Sequence, residues 1–317
     1  MRHRILHVSD LHAGPPFHHA IAECLIRQAP TLKPDLVVIS GDLVQRADIA
    51  THWLVARALR AALPGPQLVV PGNHDVPLYN LHLRLFDPLG RYRRHISGDL
   101  NPVFERPGLV VVGACTAHGL TSDGGRLSRS QADALRQRLR GYPPEVCKVV
   151  VWHHPVVNPP GQRRNRVISN PRSAVRLLDE LGAELLLCGH VHVAYVGHTR
   201  DVSPDLRRGT IICQSGTTTS RRGKGREHGK NSCNLIDIDT GSIRITQLLY
   251  QAGADAFVPV ASYSFPRRNG DPATLRQIVD EMEDVRSSWP GRGESRFSYP
   301  PPSGAWGYPP ITSGTDR

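Results

Sequence analysis

The sequence predicts an α/β protein, and three observations carry that prediction. Apolar, β-branched runs alternate with segments of helical period as far as Gly189. Five short polar blocks each follow directly on one of those runs. Beyond Gly189 the texture changes to short strands of alternating apolar and polar residues separated by turns. Residues 5–9, 36–40 and 67–71 read as strands with helical period over 18–29 and 49–63 between them, so the chain opens in βαβ units. Residues 81–86 read as a short helix, and 103–105 with 109–114 as a strand pair turning at Pro107-Gly108. Ser128 caps a helix over 128–140, and the apolar run 149–152 is a further strand. Pro171 sits at a first helical position, where its missing N–H costs nothing, and opens a helix to 181; the strand 185–188 follows. Residues 193–198, 210–214, 232–238 and 243–249 then read as a second, mainly antiparallel sheet.

The polar blocks are Asp10-Leu11-His12, Gly41-Asp42, Gly72-Asn73-His74-Asp75, His153-His154-Pro155 and Gly189-His190-Val191-His192. Each emerges from the carboxyl end of a strand, the edge of an open α/β sheet where ligands bind. Carboxylates, imidazoles and an amide oxygen form a mixed O/N donor set suited to first-row divalent metals such as Mn, Fe, Zn or Co, whereas Mg or Ca would favour oxygen alone. A carboxylate has two oxygens and can bridge two ions. Two metals about 3.5 to 4 Å apart can clamp a phosphoryl group and turn water into hydroxide near neutral pH. Taken singly, each block could be an ordinary turn in which Asp or Asn accepts local backbone hydrogen bonds. Seven metal-capable side chains at one sheet edge are not explained that way.

In these blocks the sequence resembles the calcineurin-like metallophosphoesterase superfamily, whose signature reads DxH, GDxx, GNH(D/E), H and GHxH. All five are present in order, and the resemblance covers about residues 3 to 250. It implies a four-layer α/β/β/α sandwich of two mixed sheets flanked by helices. It also implies two divalent metal ions, one held by Asp10, His12 and His192, the other by Asn73, His153 and His190, with Asp42 bridging. His74 would stand beside them as an unligated acid, steered by Asp75. His153 and His154 would point to opposite faces of a strand, so only one can ligate the same ion. The family pattern places its ligand at His153, leaving His154 to fix the following turn, lend a hydrogen bond or touch substrate. Asp75 is an orienter of His74 or a helix-start acceptor rather than a third carboxylate ligand.

The Gly-Asn-His-Asp and His-His-Pro forms look most like bacterial class III cyclic-nucleotide phosphodiesterases and glycerophosphodiesterases. The activity this implies is hydrolysis of small phosphodiesters such as 3',5'-cyclic nucleotides by metal-hydroxide attack. Phosphomonoesterase, DNA nuclease and non-catalytic scaffold are the alternatives within the superfamily. The segment Gly41 to Arg46 partly matches the protein-phosphatase block GDxVDRG, which places Arg46 at a phosphate-binding position; the competing reading pairs it with Asp48 on the surface. The loop 215–230, rich in Gly and cations, either cradles a phosphate or is a solvated connection.

Composition narrows the class further. A chain of 317 residues, 39% hydrophobic, can bury a full α/β core. The net charge of +11 and pI near 9.8 raise a nucleic-acid or membrane reading. Most arginines, however, decorate presumed helix faces (Arg57, Arg60, Arg136, Arg138, Arg140), so a small anionic phosphoester is favoured over nucleic acid. Six scattered cysteines without a CxxC read as buried thiols in a reducing compartment. No run approaches the roughly 18 apolar residues of a membrane span. The first strand starts too near Met1 to leave room for a secretory signal, so the expectation is cytoplasmic. Oligomeric state is left open. The expected organisation is a metallophosphoesterase domain over 1–262, a C-terminal extension with an amphipathic helix over 263–288, and a disordered Pro/Gly/Ser-rich tail over 289–317.

Overall fold

Strand β1 (His3–Val8), helix α1 (His19–Gln28), β2 (Leu36–Ile39), α2 (Ala50–Ala62) and β3 (Gln67–Val69) form the two opening βαβ units, with the three strands parallel. Short helices α3 (Leu81–Phe86) and α4 (Gly90–His95) lead into β4 (Val103–Arg106), β5 (Leu109–Gly113), α5 (Arg129–Leu139), β6 (Cys147–Val151), α6 (Pro171–Leu181) and β7 (Leu185–Cys188). Then come β8 (Tyr195–His198), β9 (Ile211–Gln214), β10 (Ser232–Ile238), β11 (Ser242–Gln251) and β12 (Ala256–Pro266). The computed structural model describes residues 1–161 and 167–267, all within the unit Met1–Ile278.

Two six-stranded mixed sheets result, in the orders β12-β11-β10-β1-β2-β3 and β4-β5-β6-β7-β9-β8. Strand alternation assigns each side chain to a layer. Leu6, Val8, Val37 and Ile39 pack with Leu25, Trp53 and Ala56 under α1 and α2. Their neighbours Ile5, Leu36 and Val38 face Leu109, Val111, Val149, Val151, Leu185 and Leu187 of the other sheet. Val110, Val112, Val150, Trp152 and Leu186 cover the far side with Leu135, Leu139, Val175 and Leu178 of α5 and α6. Three apolar layers between four structural layers make the α/β/β/α sandwich. Because most strands are buried on both faces, they read as continuous apolar runs. All six cysteines are buried.

Local signals agree with the elements they mark. Ser128 accepts from Gln131 N–H at 3.2 Å while Gln131 Oε1 accepts from Ser128 N–H at 2.7 Å, a reciprocal cap on α5. Pro171 is the first residue of α6, and Gly182 ends that helix at φ 68.

The expectation of a second, mainly antiparallel sheet built from the late strands is corrected. β8 and β9 join β7 in one sheet, while β10 and β11 pair antiparallel beside β1 in the other. Alternation reports which face a strand buries and carries no information on its neighbour. The expected end of the domain at 262 falls inside β12, which continues to Pro266. Arg267 then donates to both oxygens of Glu184, with 2.8 Å from Nη2 to Oε1, and to the carbonyls of Asp239 and Glu145. Both side chains are buried. Arg267→Ala would leave the Glu184 carboxylate buried without its partner, so a loss of about 3–5 kcal/mol is expected in urea unfolding. The amphipathic helix and the tail expected beyond this point, and loop residues 162–166, lie outside the described residues.

Candidate metal centre

Every polar block lies just past a strand end, and the backbone there is bent to aim its side chains. Of seven described non-glycine residues with positive φ, five are Asp10, His12, Asp42, His190 and His192, at φ 48 to 75. This left-handed conformation costs of order 1 kcal/mol or more for each non-glycine residue. It is held here by pairing between turns, since Asp10 N–H donates to Gly41 O and His12 N–H to Asp42 O, both at 3.0 Å. Gly41 at φ 105 lies so close to the His153 ring that a Cβ would overlap it, and a Cβ on Gly72 would collide with the Asp42 carboxylate.

The side chains converge in two groups of donor atoms, Asp10, His12, Asp42 and His192 in one and His153, His154 and His190 in the other. In the first, Nε2 of His12 and Nε2 of His192 lie 3.0 Å apart, and Asp10 Oδ1 is 3.0 Å from the latter. Asp42 faces both groups: Oδ2 is 3.7 Å from His12 Nε2 and Oδ1 is 3.4 Å from His153 Nε2. Asn73 Oδ1 is 2.9 Å from His190 Nδ1, beside the second group. The Ser40 carbonyl accepts from His153 Nδ1 at 2.8 Å, which fixes the tautomer and turns Nε2 toward Asp42.

The donor set fits divalent cations. Asp10 Oδ1, Asp42 Oδ2 and His154 Nε2 are buried and make no hydrogen bond. Each such atom costs about 1–3 kcal/mol unless something takes its lone pair, and a cation would take several at once. Burial opposes charge on Asp10 and Asp42. The surrounding imidazoles, chiefly His192 and His12 for the former and His153 and His74 for the latter, nevertheless hold both carboxyls well below the usual carboxylate range. Burial keeps His12, His154 and His190 well below the usual imidazole range. Burial acts the same way on His153, but Asp42 overrides it and raises the ring to about 9. His153 thus turns a protonated Nε2 toward the Asp42 carboxylate, 3.4 Å away. Ionised carboxylates and otherwise neutral imidazoles are the forms that ligate.

Three expectations need correction. His153 and His154 do not diverge, because β6 ends at Val151 and both residues lie in the turn beyond it. Their ring centroids are 4.9 Å apart and both rings approach His190. Asp75 does not steer His74. Its carboxylate accepts from Gly72 N–H at 2.8 Å, Leu43 N–H at 3.0 Å and Val44 N–H at 3.1 Å, the helix-start role, and so ties two ligand turns together. Burial and the Asp42 charge push it up to about 7 against those donors. The group that orients His74 is the Gln45 carbonyl, 2.9 Å from Nδ1. Arg46 neither pairs with Asp48 nor lines the cleft. Its guanidinium stands over the Tyr79 ring at 5.4 Å, while Asp48 accepts from Leu78 and Tyr79 N–H.

Over the centre lies a cleft of about 250 Å³ lined by Asp42, Asn73, His74, Leu78, Ser122, Asp123, His190, His192 and Arg222. Asp123 comes from a loop that sequence reasoning did not place in the site, whereas Arg222 comes from the loop 215–230 that the sequence offered as a phosphate cradle. Asp123 Oδ1 is 3.5 Å from His190 Nε2. The loop after β9 is not a solvated connection at its start: Ser215 and residues 217–220 are buried. Thr217 and Thr219 hydroxyls donate to the carbonyls of Asp10 and Leu11, at 2.7 and 3.0 Å, and Thr218 N–H donates to Ser9 O. The one available signal was the run Thr217-Thr218-Thr219 directly after an apolar strand.

The sequence matches the calcineurin-like phosphoesterase family over residues 3–194, more than half of the chain. The chain belongs to the calcineurin-like phosphoesterases. No curated sequence matches it. Among solved structures, a dimetal phosphatase from Danio rerio superposes with a TM-score of 0.60 at 12% identity, covering 84% of this chain and 99% of that one. The purple acid phosphatase PPD1 from yellow lupin (Lupinus luteus) seeds also gives 0.60 at 12% identity, covering 87% of this chain and 55% of that one, so this chain spans about half of its length. GAP50, described as the anchor in the inner membrane complex of Plasmodium, gives 0.56 at 13% identity over 88% of this chain and 94% of that one. At these identities the likeness is one of fold. No helix among the described residues is long and apolar enough to cross a membrane.

Proposed function

We propose that the chain is a dinuclear-metal-dependent phosphoesterase acting on small phosphodiesters, 3',5'-cyclic nucleotides among them. The observation that carries this reading is Asp42, one carboxylate whose two oxygens face two separate donor groups. Asp10, His12 and His192 would hold one ion, Asn73, His153 and His190 the other, with Asp42 shared. When bound, two divalent ions supply the positive charge that binds and polarises a phosphoryl group.

The chain's own groups do the rest. His74 donates from its main-chain N–H to Asp42 Oδ1 at 2.8 Å, which places the ring at the edge of the centre. A carbonyl acceptor on Nδ1 requires the proton there, so Nε2 is the nitrogen that takes or gives a proton at the departing oxygen. Asp75 keeps the ligand turns in register. The cleft, below the roughly 300 Å³ at which pockets for drug-sized ligands begin, favours a small ester. Among the described residues one guanidinium, that of Arg222, lines it together with the carboxylate of Asp123, which suits the single charge of a diester. The likeness of the Gly-Asn-His-Asp and His-His-Pro forms to class III enzymes supports the same choice. Six buried thiols fit the reducing cytoplasm.

Purified protein supplied with Mn, assayed on bis-p-nitrophenyl phosphate, p-nitrophenyl phosphate and 3',5'-cyclic AMP, tests the reading. The expected result is a higher kcat/KM on the two diesters. A higher value on the monoester would overturn it in favour of a phosphomonoesterase.

A further inference from the structure

The geometry points to an anion subsite built by Arg222, which takes a phosphate oxygen of the diester in the place the sequence assigned to Arg46; the inference rests on the phosphoesterase reading above. Arg222 lines the cleft together with the centre's Asp42, Asn73, His190 and His192 and with His74. Its Nη1 donates to Gln45 Oε1 at 2.7 Å. The same Gln45 accepts from His74 Nδ1 through its main-chain carbonyl, so one residue sets both the guanidinium and the imidazole. A guanidinium carries five donors in a rigid fork, and Gln45 Oε1 fixes the direction of that fork at the cleft.

The segment that delivers Arg222 is fastened to the turn of the ligand His192. His192 Nδ1 donates to the Arg222 carbonyl at 2.8 Å, and Lys224 N–H donates to His192 O at 3.2 Å. Buried Glu227 accepts from Ala194 N–H at 2.7 Å and from Ser232 Oγ at 2.9 Å, while Arg226 donates to Ala194 O at 2.5 Å. The main chain of Arg222 therefore supports a metal ligand while its side chain faces the substrate. Arg46 cannot serve the same end from its place over Tyr79.

This division of labour separates the two roles experimentally. Arg222→Ala keeps the carbonyl that holds His192, so metal content measured by elemental analysis is expected to remain that of the wild type. Binding of inorganic phosphate to the metal-loaded protein, read by calorimetry, should weaken about 10- to 100-fold, as for a lost hydrogen bond to a charged group. KM for bis-p-nitrophenyl phosphate should rise with it. Arg222→Lys should fall between, having the charge without the fork, and Gln45→Ala should weaken phosphate binding less than Arg222→Ala. Phosphate binding by Arg222→Ala within about twofold of the wild type, or loss of metal from that variant, would overturn the subsite. Wild-type protein that binds metal and phosphate but turns over no ester would count against the phosphoesterase reading instead, and the phosphate comparison would still decide Arg222.

Discussion

Asp42→Ala is expected to lose both ions and hydrolysis together. Among the described residues Asp42 is the side chain whose oxygens face both donor groups, and it also holds the His74 N–H, so its loss opens both halves of the centre at once. The variant leaves His12 Nε2 and His153 Nε2 buried without the carboxylate that faced them. Metal ions supply several kcal/mol of charge stabilisation to phosphoryl transfer, and each 1.36 kcal/mol is tenfold in rate, so a fall of about 10³-fold or more follows. Elemental analysis beside a rate measurement on bis-p-nitrophenyl phosphate checks it. Two ions per chain still bound to the variant would show that Asp42 is not the bridge.

His74→Ala is expected to behave in the opposite way. What His74 gives the centre structurally is its main-chain N–H to Asp42, which alanine retains, and its side chain is bound to the Gln45 carbonyl rather than to a ligand group. Metal content should therefore stay intact. Rate on a diester with an alkoxide leaving group should fall about 10² to 10⁴-fold, the usual share of general acid–base catalysis. A nitrophenolate departs without needing a proton, so bis-p-nitrophenyl phosphate should suffer far less. Equal losses on the two substrates would contradict a role for Nε2 in proton transfer.

The residues of the centre were legible because each polar block follows an apolar run, and strands buried on both faces announce themselves that way. What was not legible is how the backbone turns after those runs. Asp10, His12, Asp42, His190 and His192 all adopt a left-handed conformation that their side chains disfavour, and no local pattern in the sequence asks for it. The same gap misled the reading of His153 and His154, which assumed a strand where the chain had already turned. Of the two readings of Asp75 the helix-start acceptor holds, and Gln45 orients His74 instead, because a carboxylate next to a histidine in sequence is not thereby next to its ring. Arg222 and the three threonines before it reach the site from a loop after β9, a contact set by the packing of the sheets and not by proximity along the chain. The late strands showed their alternation plainly, yet their division between two sheets depends on partners that alternation does not encode.

The claim at the centre of this account is that two ions share one carboxylate. Metal-stripped protein titrated with Mn and followed by electron paramagnetic resonance tests it most directly, with the rate on bis-p-nitrophenyl phosphate read at each step. The account predicts uptake of two ions per chain, loss of the isolated-ion signal as a spin-coupled pair forms, and activity that rises with the pair and not with the first ion. Saturation at a single uncoupled ion per chain, with full activity, would contradict it.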